Sequence, residues 1–314
     1  MAKLLSEILG VDHPVMMAPM FLVSSEGMML AGLENGITAA FPAANHRTSE
    51  ALDNALQALK SKTNKPFGVN IIANKSNQRY DDELSVCVKN NVDFIITSLG
   101  NPAKAIEICH ESGILVFCDV TDMAYAHKVV TQGADALIAV NKCAGGHPGQ
   151  LDGKMFLSDL LANFDVPVIY AGGVSNCNVY KEIMALGAAG VSVGTLFLAT
   201  IESPVSDEYK KALVKYGADD VVATKKLSGA PLHVINTPYV QKTGLESNWL
   251  TRFLYRHKTL RRFLKRLAMK RGMNRLRRAA FDATYKNVWV AGCSIEDIHN
   301  IKTVKKRINE LTNC

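Results

Sequence analysis

The sequence predicts an α/β protein of the (β/α)8 barrel class, with a helical insertion after the eighth strand. Eight short apolar runs recur in the first two-thirds of the 314 residues, and helical patterns separate most of them. Strands that alternate with helices in this way predict a parallel sheet with helices outside it. An open doubly wound sheet is the alternative. The count of eight, and the glycines that follow the last three strands, favour the closed barrel.

The predicted strands are mostly continuous apolar runs, which is typical of strands that are buried on both faces. They are residues 14–18, 37–41, 67–72, 93–97, 114–118, 136–140, 166–170 and 190–193. Burial on both faces is what a barrel requires, because side chains fill its interior and helices cover its outside.

Helices are predicted between these strands from a capping residue at the start, followed by a glycine at the end or, for residues 48–60, by apolar residues at helical spacing. The clearest patterns cover residues 24–36, 48–60, 101–113, 121–133 and 175–187. We expect the barrel to occupy residues 1–203. The chain then looks helical and polar without strand runs, so residues 204–285 are expected to form a helical insertion over the barrel mouth. Residues 286–314 are expected to close the barrel wall with a helix that Ser294 caps.

Positive charge is concentrated in one segment of the chain. The formal net charge is +7, yet the segment from Trp249 to Arg278 holds twelve Lys and Arg and no acid. Apolar residues at helical spacing predict a basic amphipathic helix there, and a lid helix with a solvated basic face is the favoured interpretation. The alternatives are binding of an anionic ligand such as a coenzyme A or acyl-carrier thioester, of a membrane surface, or of nucleic acid. No nucleic-acid motif accompanies the charge, so we expect no such partner.

The beginning of the chain lacks the pattern of a secretory signal, and no run approaches the roughly 20 apolar residues of a membrane span. Seven cysteines are scattered along the chain. Their number is odd and their spacing fits no metal site, so we interpret them as reduced thiols. We therefore expect a cytoplasmic protein without a resident metal and without membrane insertion.

Three glycine-rich segments follow the sixth, seventh and eighth predicted strands, at residues 144–149, 171–174 and 193–195. Loops at the C-terminal ends of barrel strands form the active site, and those after strands seven and eight commonly hold phosphate. Glycine lets backbone N–H groups approach the phosphate oxygens, and the hydroxyl of Thr195 can add a donor. Tight barrel turns without a ligand are the alternative. The pattern predicts a phosphate-bearing cofactor whose reactive part lies near the barrel axis.

His147 lies between glycines and a proline, on a loop with few other side chains. A loop position favours function over packing, although a structural histidine bonded to a carbonyl is the alternative. Its near-neutral pKa suits proton transfer and the binding of an anion. Asn70 ends the third strand and can offer a donor and an acceptor to a cofactor. His46 follows the second strand and is a possible substrate contact.

Several motifs resemble the nitronate monooxygenase family, formerly called 2-nitropropane dioxygenases. They are MAPM (17–20), PFGVN (66–70), AGGHPG (144–149), AGGV (171–174) and LGAAGVSVGTLFLATIES (186–203). The same superfamily contains FMN-dependent enoyl-acyl-carrier-protein reductases. The resemblance covers residues 1–203 well, and the stretch SGAPLHVINT (228–237) more weakly.

The resemblance implies an FMN cofactor and makes His147 the catalytic histidine. The candidate cofactor-binding residues are Ala18, Pro19, Met20, Asn70, Lys142, Gly145, Gly172, Gly173, Ser192, Val193, Gly194 and Thr195. Two positions depart from the family pattern, because Val140 stands where a glutamine usually contacts FMN and Cys143 stands where a glutamate is usual. With these departures, we still expect FMN to bind, but the resemblance does not identify the substrate.

The resemblance implies oxidation of alkyl nitronates with O2 to a carbonyl compound and nitrite, without a nicotinamide. An NAD(P)H-dependent FMN reductase of an enoyl thioester or quinone is the alternative. A non-enzymatic alternative is a barrel that binds membranes or nucleic acid through its basic helix. The expected partners are a small-molecule substrate and O2, with a homodimer possible.

Overall fold

The barrel prediction is confirmed in a computed structural model, which describes residues 3–74, 77–226, 230–245 and 288–313. Eight parallel strands pair in sequence order, and β1 pairs with β8 to close the barrel. The strands are β1 (Val15–Met17), β2 (Thr38–Pro42), β3 (Phe67–Ile72), β4 (Phe94–Ser98), β5 (Leu115–Val120), β6 (Ala136–Val140), β7 (Val168–Ala171) and β8 (Gly190–Val193). Each predicted run overlaps the corresponding strand.

Helices connect the strands on the outside of the barrel. In the described part of the chain, those that precede or link the barrel strands are α1 (Leu5–Leu9), α2 (Glu26–Glu34), α3 (Ser49–Lys60), α4 (Tyr80–Lys89), α5 (Ala103–Glu111), α6 (Met123–Thr131), α7 (Gly153–Asn163) and α8 (Cys177–Ala185). Capping residues fix their starts, since the side chains of Ser25 and Thr48 accept the first free backbone N–H groups of α2 and α3. The chain continues through α9 (Thr195–Leu198) and α10 (Asp207–Lys215).

The barrel interior is packed with apolar side chains at its N-terminal end. Phe94 and Phe117 stack there with their ring centroids 4.9 Å apart. Gly68 makes room for this pair, because a Cβ on it would lie 2.2 Å from the Phe94 ring. Leu5 of α1 joins the same cluster and seals the floor. A ligand therefore has access only from the carboxyl ends of the strands.

The wall of the barrel is completed by the helix Val304–Thr312, which packs against α2 and α8. It occupies the place of a crossover helix between β8 and β1. Thr303 caps it, and Cys293–Asp297 forms a separate 3-10 turn. The expectation of one helix starting at Ser294 was wrong, because the Ser294 side chain is buried and a second capping residue follows nine positions later.

The expectation that residues 204–285 lack strands was also wrong. Strands β9 (Val221–Thr224) and β10 (Leu232–Ile235) form an antiparallel pair, followed by α11 (Pro238–Thr243). Each strand has four residues, and their stability comes from pairing with each other and with the barrel loops, which local pattern does not reveal.

The basic segment from Trp249 to Arg278, with the lid helix expected there, lies outside the described residues. Within the described ranges, no helix is long and apolar enough to cross a membrane. Five described cysteines are free thiols, whereas Cys177 is disulfide-bonded. The expectation that every cysteine is reduced was therefore wrong, since spacing alone does not reveal pairing.

Candidate active site

Three polar residues end the inward-facing rows of neighbouring strands at the open end of the barrel. Asn70, Ser98 and Asp119 come from β3, β4 and β5, in alternation with the apolar residues of the floor. The Asn70 amide donates to Ser98 Oγ at 2.6 Å, and the Ser98 hydroxyl donates to Asp119 Oδ2. A hydrogen-bonded chain of polar groups thus lines one side of the mouth.

Asn70 has its amide N–H groups occupied by the protein. Nδ2 donates to the carbonyl oxygen of Ile96 at 3.2 Å as well as to Ser98. Only the Oδ1 acceptor remains for a cofactor, whereas the sequence analysis expected both a donor and an acceptor. Among groups on a flavin, a ring N–H or a ribityl hydroxyl suits this oxygen.

Asp119 is the ionisable member of the chain, and the sequence analysis did not find it. Burial raises the pKa of its carboxyl to about 6, and the hydrogen bond from Ser98 opposes that shift. A carboxyl group with this pKa still holds a proton in part of the molecules near neutral pH. The available signal was a lone carboxylate directly after the apolar run 114–118.

His147 lies on the loop after β6, the strand next to Asp119's strand. Its side chain is exposed to the solvent in the concave mouth. The surrounding protein nevertheless desolvates the imidazolium and lowers the pKa of His147 below its ordinary 6.5. A neutral imidazole that is accessible from the mouth can accept a proton at neutral pH.

The loop that carries His147 is fixed from below by Asn141, which is buried at the end of β6. Its Oδ1 accepts from the Cys143 N–H at 2.7 Å, and its Nδ2 donates to the Gly172 carbonyl at 3.0 Å. The side chain thereby ties the β6 loop to the β7 loop. One amide holds the histidine loop and a glycine loop in a fixed relation.

From the other side, β10 holds the same loop. The His233 N–H donates to the Gly146 carbonyl at 2.8 Å, and its Nδ1 bonds the Ala144 carbonyl at 2.9 Å. Burial lowers the pKa of His233, and the bond to Ala144 opposes that shift. His233 therefore supports the loop that carries His147. The pairing joins residues 89 positions apart, which no local pattern reveals.

The loops after β7 and β8 form a cradle of backbone N–H groups. Gly172 and Gly173 have positive φ, +120° and +81°, a conformation that glycine adopts without strain. In the described part of the chain, no backbone carbonyl accepts from the N–H of Gly173 or Gly194. Unpaired N–H groups at the ends of neighbouring strands suit the oxygens of a phosphate, so the residues present fit a phosphate-bearing cofactor.

Residues after β1 complete the cradle's edge. A Cβ on Gly194 would lie 3.6 Å from Ala18 Cβ and 3.7 Å from Met20 Sδ. Thr195 is buried, and its Oγ1 accepts from the Gly292 N–H at 2.9 Å. Its hydroxyl hydrogen is thus the part available to a phosphate. Ala18, Pro19, Met20, Gly172, Gly173, Ser192, Val193, Gly194 and Thr195 all lie at the carboxyl ends of β1, β7 and β8.

Three other candidates have different surroundings. Lys142 is exposed and its Nζ lies 3.0 Å from Asp152 Oδ2, so its role in cofactor binding stays a prediction. Gly145 packs against the C-terminal segment, where a Cβ would lie 3.0 Å from the Gly292 nitrogen. His46 packs edge-on against Phe41, with ring centroids 5.5 Å apart.

Val140 is the last inward-facing residue of β6 and packs against the floor cluster. It presents a short apolar surface where the family usually places a glutamine.

Among the residues that the structure describes, no group of three or more His, Cys, Asp and Glu could hold a metal ion.

These features define a class of protein: a barrel enzyme with unpaired backbone N–H groups, a histidine whose pKa is lowered and a carboxyl whose pKa is raised at one mouth. Residues 72–313 match the family model described as nitronate monooxygenase. The chain belongs to the nitronate monooxygenase family, and it is a flavin-dependent oxidoreductase that acts on a small molecule.

Two curated relatives and one solved structure are similar to this chain. A (3aS,4S,5R,7aS)-5-hydroxy-7a-methyl-1-oxo-octahydro-1H-indene-4-carboxyl-CoA dehydrogenase of Rhodococcus jostii is 33% identical over 78% of this chain and 68% of its own. A nitronate monooxygenase of Paraburkholderia phytofirmans is 24% identical over 72% of this chain and 74% of its own. The solved structure of FabK from Thermotoga maritima superimposes with a TM-score of 0.84 at 29% identity, covering 98% of this chain and 94% of that one.

Proposed function

We propose that this chain is an FMN-dependent oxidoreductase of an acyl thioester carried by coenzyme A. The proposal is supported by the placement of His147 on the loop after β6 and of Asp119 near the end of the neighbouring strand β5, where desolvation lowers the pKa of the imidazole and raises that of the carboxyl. Environments that shift two titratable groups in this way provide one group to take a proton and one to give or share it.

The cofactor is proposed to be FMN because the rim offers one cradle for one phosphate. The N–H groups of Gly173 and Gly194 and the hydroxyl of Thr195 would hold the phosphate, and Asn70 Oδ1 would accept a hydrogen bond from the ring or ribityl group. A bound FMN supplies an acceptor and donor of two electrons. The protein supplies the binding, the orientation and the proton transfers.

His147 is proposed to remove the α-proton of the thioester. A thioester carbonyl acidifies its α C–H bond, and a neutral imidazole is a suitable base for it. The Asp119 proton would reside on Oδ1, since Oδ2 accepts from Ser98. From there, the carboxyl can donate a hydrogen bond to the carbonyl oxygen as negative charge develops on it.

The choice of a coenzyme A thioester is supported by the Rhodococcus relative, whose name specifies a carboxyl-CoA substrate. The twelve Lys and Arg between Trp249 and Arg278 offer cations to an anionic carrier of this kind. Val140 and Cys143, which replace two polar positions of the nitronate monooxygenase pattern, are consistent with a substrate other than a nitronate.

Alkyl nitronates are the second candidate substrates, oxidised with O2 to a carbonyl compound and nitrite. The match of residues 72–313 to the nitronate monooxygenase family model favours them. In that reaction His147 would bind the nitronate oxygens or remove the α-proton of a neutral nitroalkane. Both candidates therefore use the same histidine, either on the α-proton of a thioester or nitroalkane or on the oxygens of a nitronate.

One experiment separates the candidates. The purified protein is mixed anaerobically with butyryl-CoA, with propyl-2-nitronate, and with NADH or NADPH followed by crotonyl-CoA, while the visible flavin band is followed. Bleaching by butyryl-CoA, or recovery of a nicotinamide-bleached band by crotonyl-CoA, supports the thioester function. Bleaching by the nitronate alone supports the second candidate.

The cofactor is identified in the same preparation by heat release and mass measurement. A protein that neither contains nor takes up FMN would overturn both candidates. His147→Ala is expected to keep the flavin and to lose the bleaching reaction.

A further inference from the structure

We propose that Cys143 and Cys293 form a reversible disulfide at the rim of the barrel, and thus a site of oxidative modification. Cys143 lies on the histidine loop, and Cys293 lies at the start of the 3-10 turn near the C-terminus. The Cys293 N–H donates to the Cys143 carbonyl at 3.0 Å, and each thiol shifts the pKa of the other, so the two side chains lie within interaction distance. Both side chains are half-buried and both thiols are free.

The backbone contact places the two residues within the range that a disulfide requires. With standard bond lengths, a hydrogen bond of 3.0 Å between the N–H of Cys293 and the carbonyl of Cys143 keeps their Cα atoms at most about 7 Å apart. Disulfides span Cα separations of about 4.4–6.8 Å. The mutual effect of the two thiols on their pKa values places the side chains on the same side of this backbone contact. Closure therefore requires side-chain rotation and no rearrangement of the barrel.

The thiol pair is chemically asymmetric, which assigns the two roles. The hydrogen bond from Cys293 lowers the pKa of Cys143 to about 7, burial opposes this shift, and the Lys142 ammonium assists it. The same hydrogen bond raises the pKa of Cys293. Cys143 is thus the attacking thiolate, and Cys293 is the thiol that resolves the mixed disulfide.

The other free thiols of the described residues differ in this respect. Cys87, Cys109 and Cys118 are buried in the core, and burial raises the pKa of each. They are poor nucleophiles at neutral pH. They provide an internal control for the reaction of the rim pair.

The reaction is a thiol–disulfide exchange with a low-molecular-weight disulfide such as oxidised glutathione. The Cys143 thiolate attacks one sulfur of the oxidant, the S–S bond of the oxidant breaks, and one glutathione thiolate leaves. Cys293 then loses its proton to solvent and attacks the Cys143 sulfur, and the second glutathione thiolate leaves. The two cysteines lose two electrons in total, and the oxidant is reduced to two thiols.

The location of the pair connects it to the cofactor cradle. A Cβ on Gly173 would lie 3.2 Å from Cys143 Cβ, and Gly292, next to Cys293, donates to Thr195 Oγ1. The disulfide would bind the C-terminal segment covalently to the histidine loop, beside the glycines that we assign to the phosphate. A glutathione adduct on Cys143 would instead crowd Gly173.

The test compares wild type, Cys293→Ser and Cys143→Ser in a neutral buffer of oxidised and reduced glutathione. The reaction is stopped with N-ethylmaleimide, and peptides are quantified by mass spectrometry. In wild type, we expect a cross-linked peptide that joins Cys143 to Cys293. In Cys293→Ser, we expect the glutathione adduct of Cys143 to be at least about 10-fold more abundant than in wild type, because the resolving thiol is gone. In Cys143→Ser, Cys293 should carry no adduct.

The wild-type result does not depend on the folding of a variant. Absence of modification at Cys109 and Cys118, which are buried in the core, shows that the protein stays folded during the reaction. Two outcomes would overturn the proposal. One is a wild type that keeps both rim thiols free under conditions that oxidise a small dithiol. The other is a Cys143 adduct that persists equally in wild type and in Cys293→Ser.

Discussion

The ring Nδ1 of His233 lies 2.9 Å from the carbonyl oxygen of Ala144, three residues before His147. The bond joins an inserted strand to the loop that carries the candidate catalytic group. Together with the bond from the His233 N–H to the Gly146 carbonyl, it fixes the conformation of a loop whose glycines would otherwise allow several backbone conformations. Accurate placement of a base is a large part of its catalytic effect.

Replacing His233 by alanine should reduce turnover about tenfold and leave flavin content unchanged, because the loop loses one of its anchors while the phosphate cradle stays intact. Loss of one side-chain hydrogen bond should also lower the free energy of unfolding by about 1 kcal/mol. Steady-state kinetics and urea denaturation measure the two effects. His299→Ala is the matched control, since His299 is exposed near the C-terminal helix. Equal turnover in both variants would contradict a supporting role.

The histidine itself should set the acid side of the pH profile. Desolvation by the surrounding protein lowers the pKa of His147, so the neutral base persists as the pH falls to the ordinary value of 6.5 and is lost only below it. We expect kcat/KM to decline on the acid side with a midpoint below 6.5. His147→Gln should reduce turnover at least about 100-fold at pH 7. A midpoint above 6.5 would show that another group carries the proton.

Asp119 should make the stability of the protein depend on pH in a recognisable way. Its folded-state pKa of about 6 lies above the 3.8 of an unperturbed aspartate, so between these values the native state binds more protons than the unfolded state. Stability contributed by the protonated carboxyl is therefore present at low pH and is lost as the pH rises through about 6.

Asp119→Asn removes this dependence. The free energy of unfolding of the variant relative to wild type should increase by up to about 2 kcal/mol between pH 4 and pH 7. Chemical denaturation of the flavin-free protein at several pH values measures it. Asp159→Asn, on an exposed face of α7, is the control. A constant difference over this range would show that Asp119 is ionised normally.

The cradle is tested by adding one methyl group at Gly194. Its φ is not in the left-handed region, and a Cβ would meet only ordinary contacts with Ala18 and Met20, so Gly194→Ala should fold normally. The methyl group would occupy space at the proposed phosphate, and we expect the Kd for FMN to rise at least about 10-fold. Fluorescence titration measures the Kd. Gly27→Ala in α2, where a Cβ meets open space, should bind FMN as wild type does.

The barrel was predictable from the sequence because most of its strands contain a continuous apolar run, and Ser25 and Thr48 mark helix starts through local chemistry. The glycine cradle and His147 were predictable for a related reason, since each lies directly after a strand. Because all parallel strands end on the same side of the barrel, a residue that directly follows a strand is expected at the open mouth.

The residues that support and complete the site were not predictable in this way. Asp119 can be recognised as a site residue only when it is known which side chains of β5 face inward and that Ser98 contacts its carboxylate. His233 and Cys293 reach the histidine loop from distant parts of the chain. Such contacts form only when segments that are far apart in the sequence come together in the folded chain. The hairpin of β9 and β10 was missed for the same reason, because strands of four residues gain their stability from partners rather than from composition.

The helix Val304–Thr312 covers a flank of the barrel between α8 and α2, yet it follows β8 by more than one hundred residues. Synthesis on the ribosome releases all eight strands long before this helix is available. Until then, the groove that receives Val304, Ile308 and Leu311 faces water. A chain that ends before this helix should therefore leave an apolar groove uncovered, which favours aggregation.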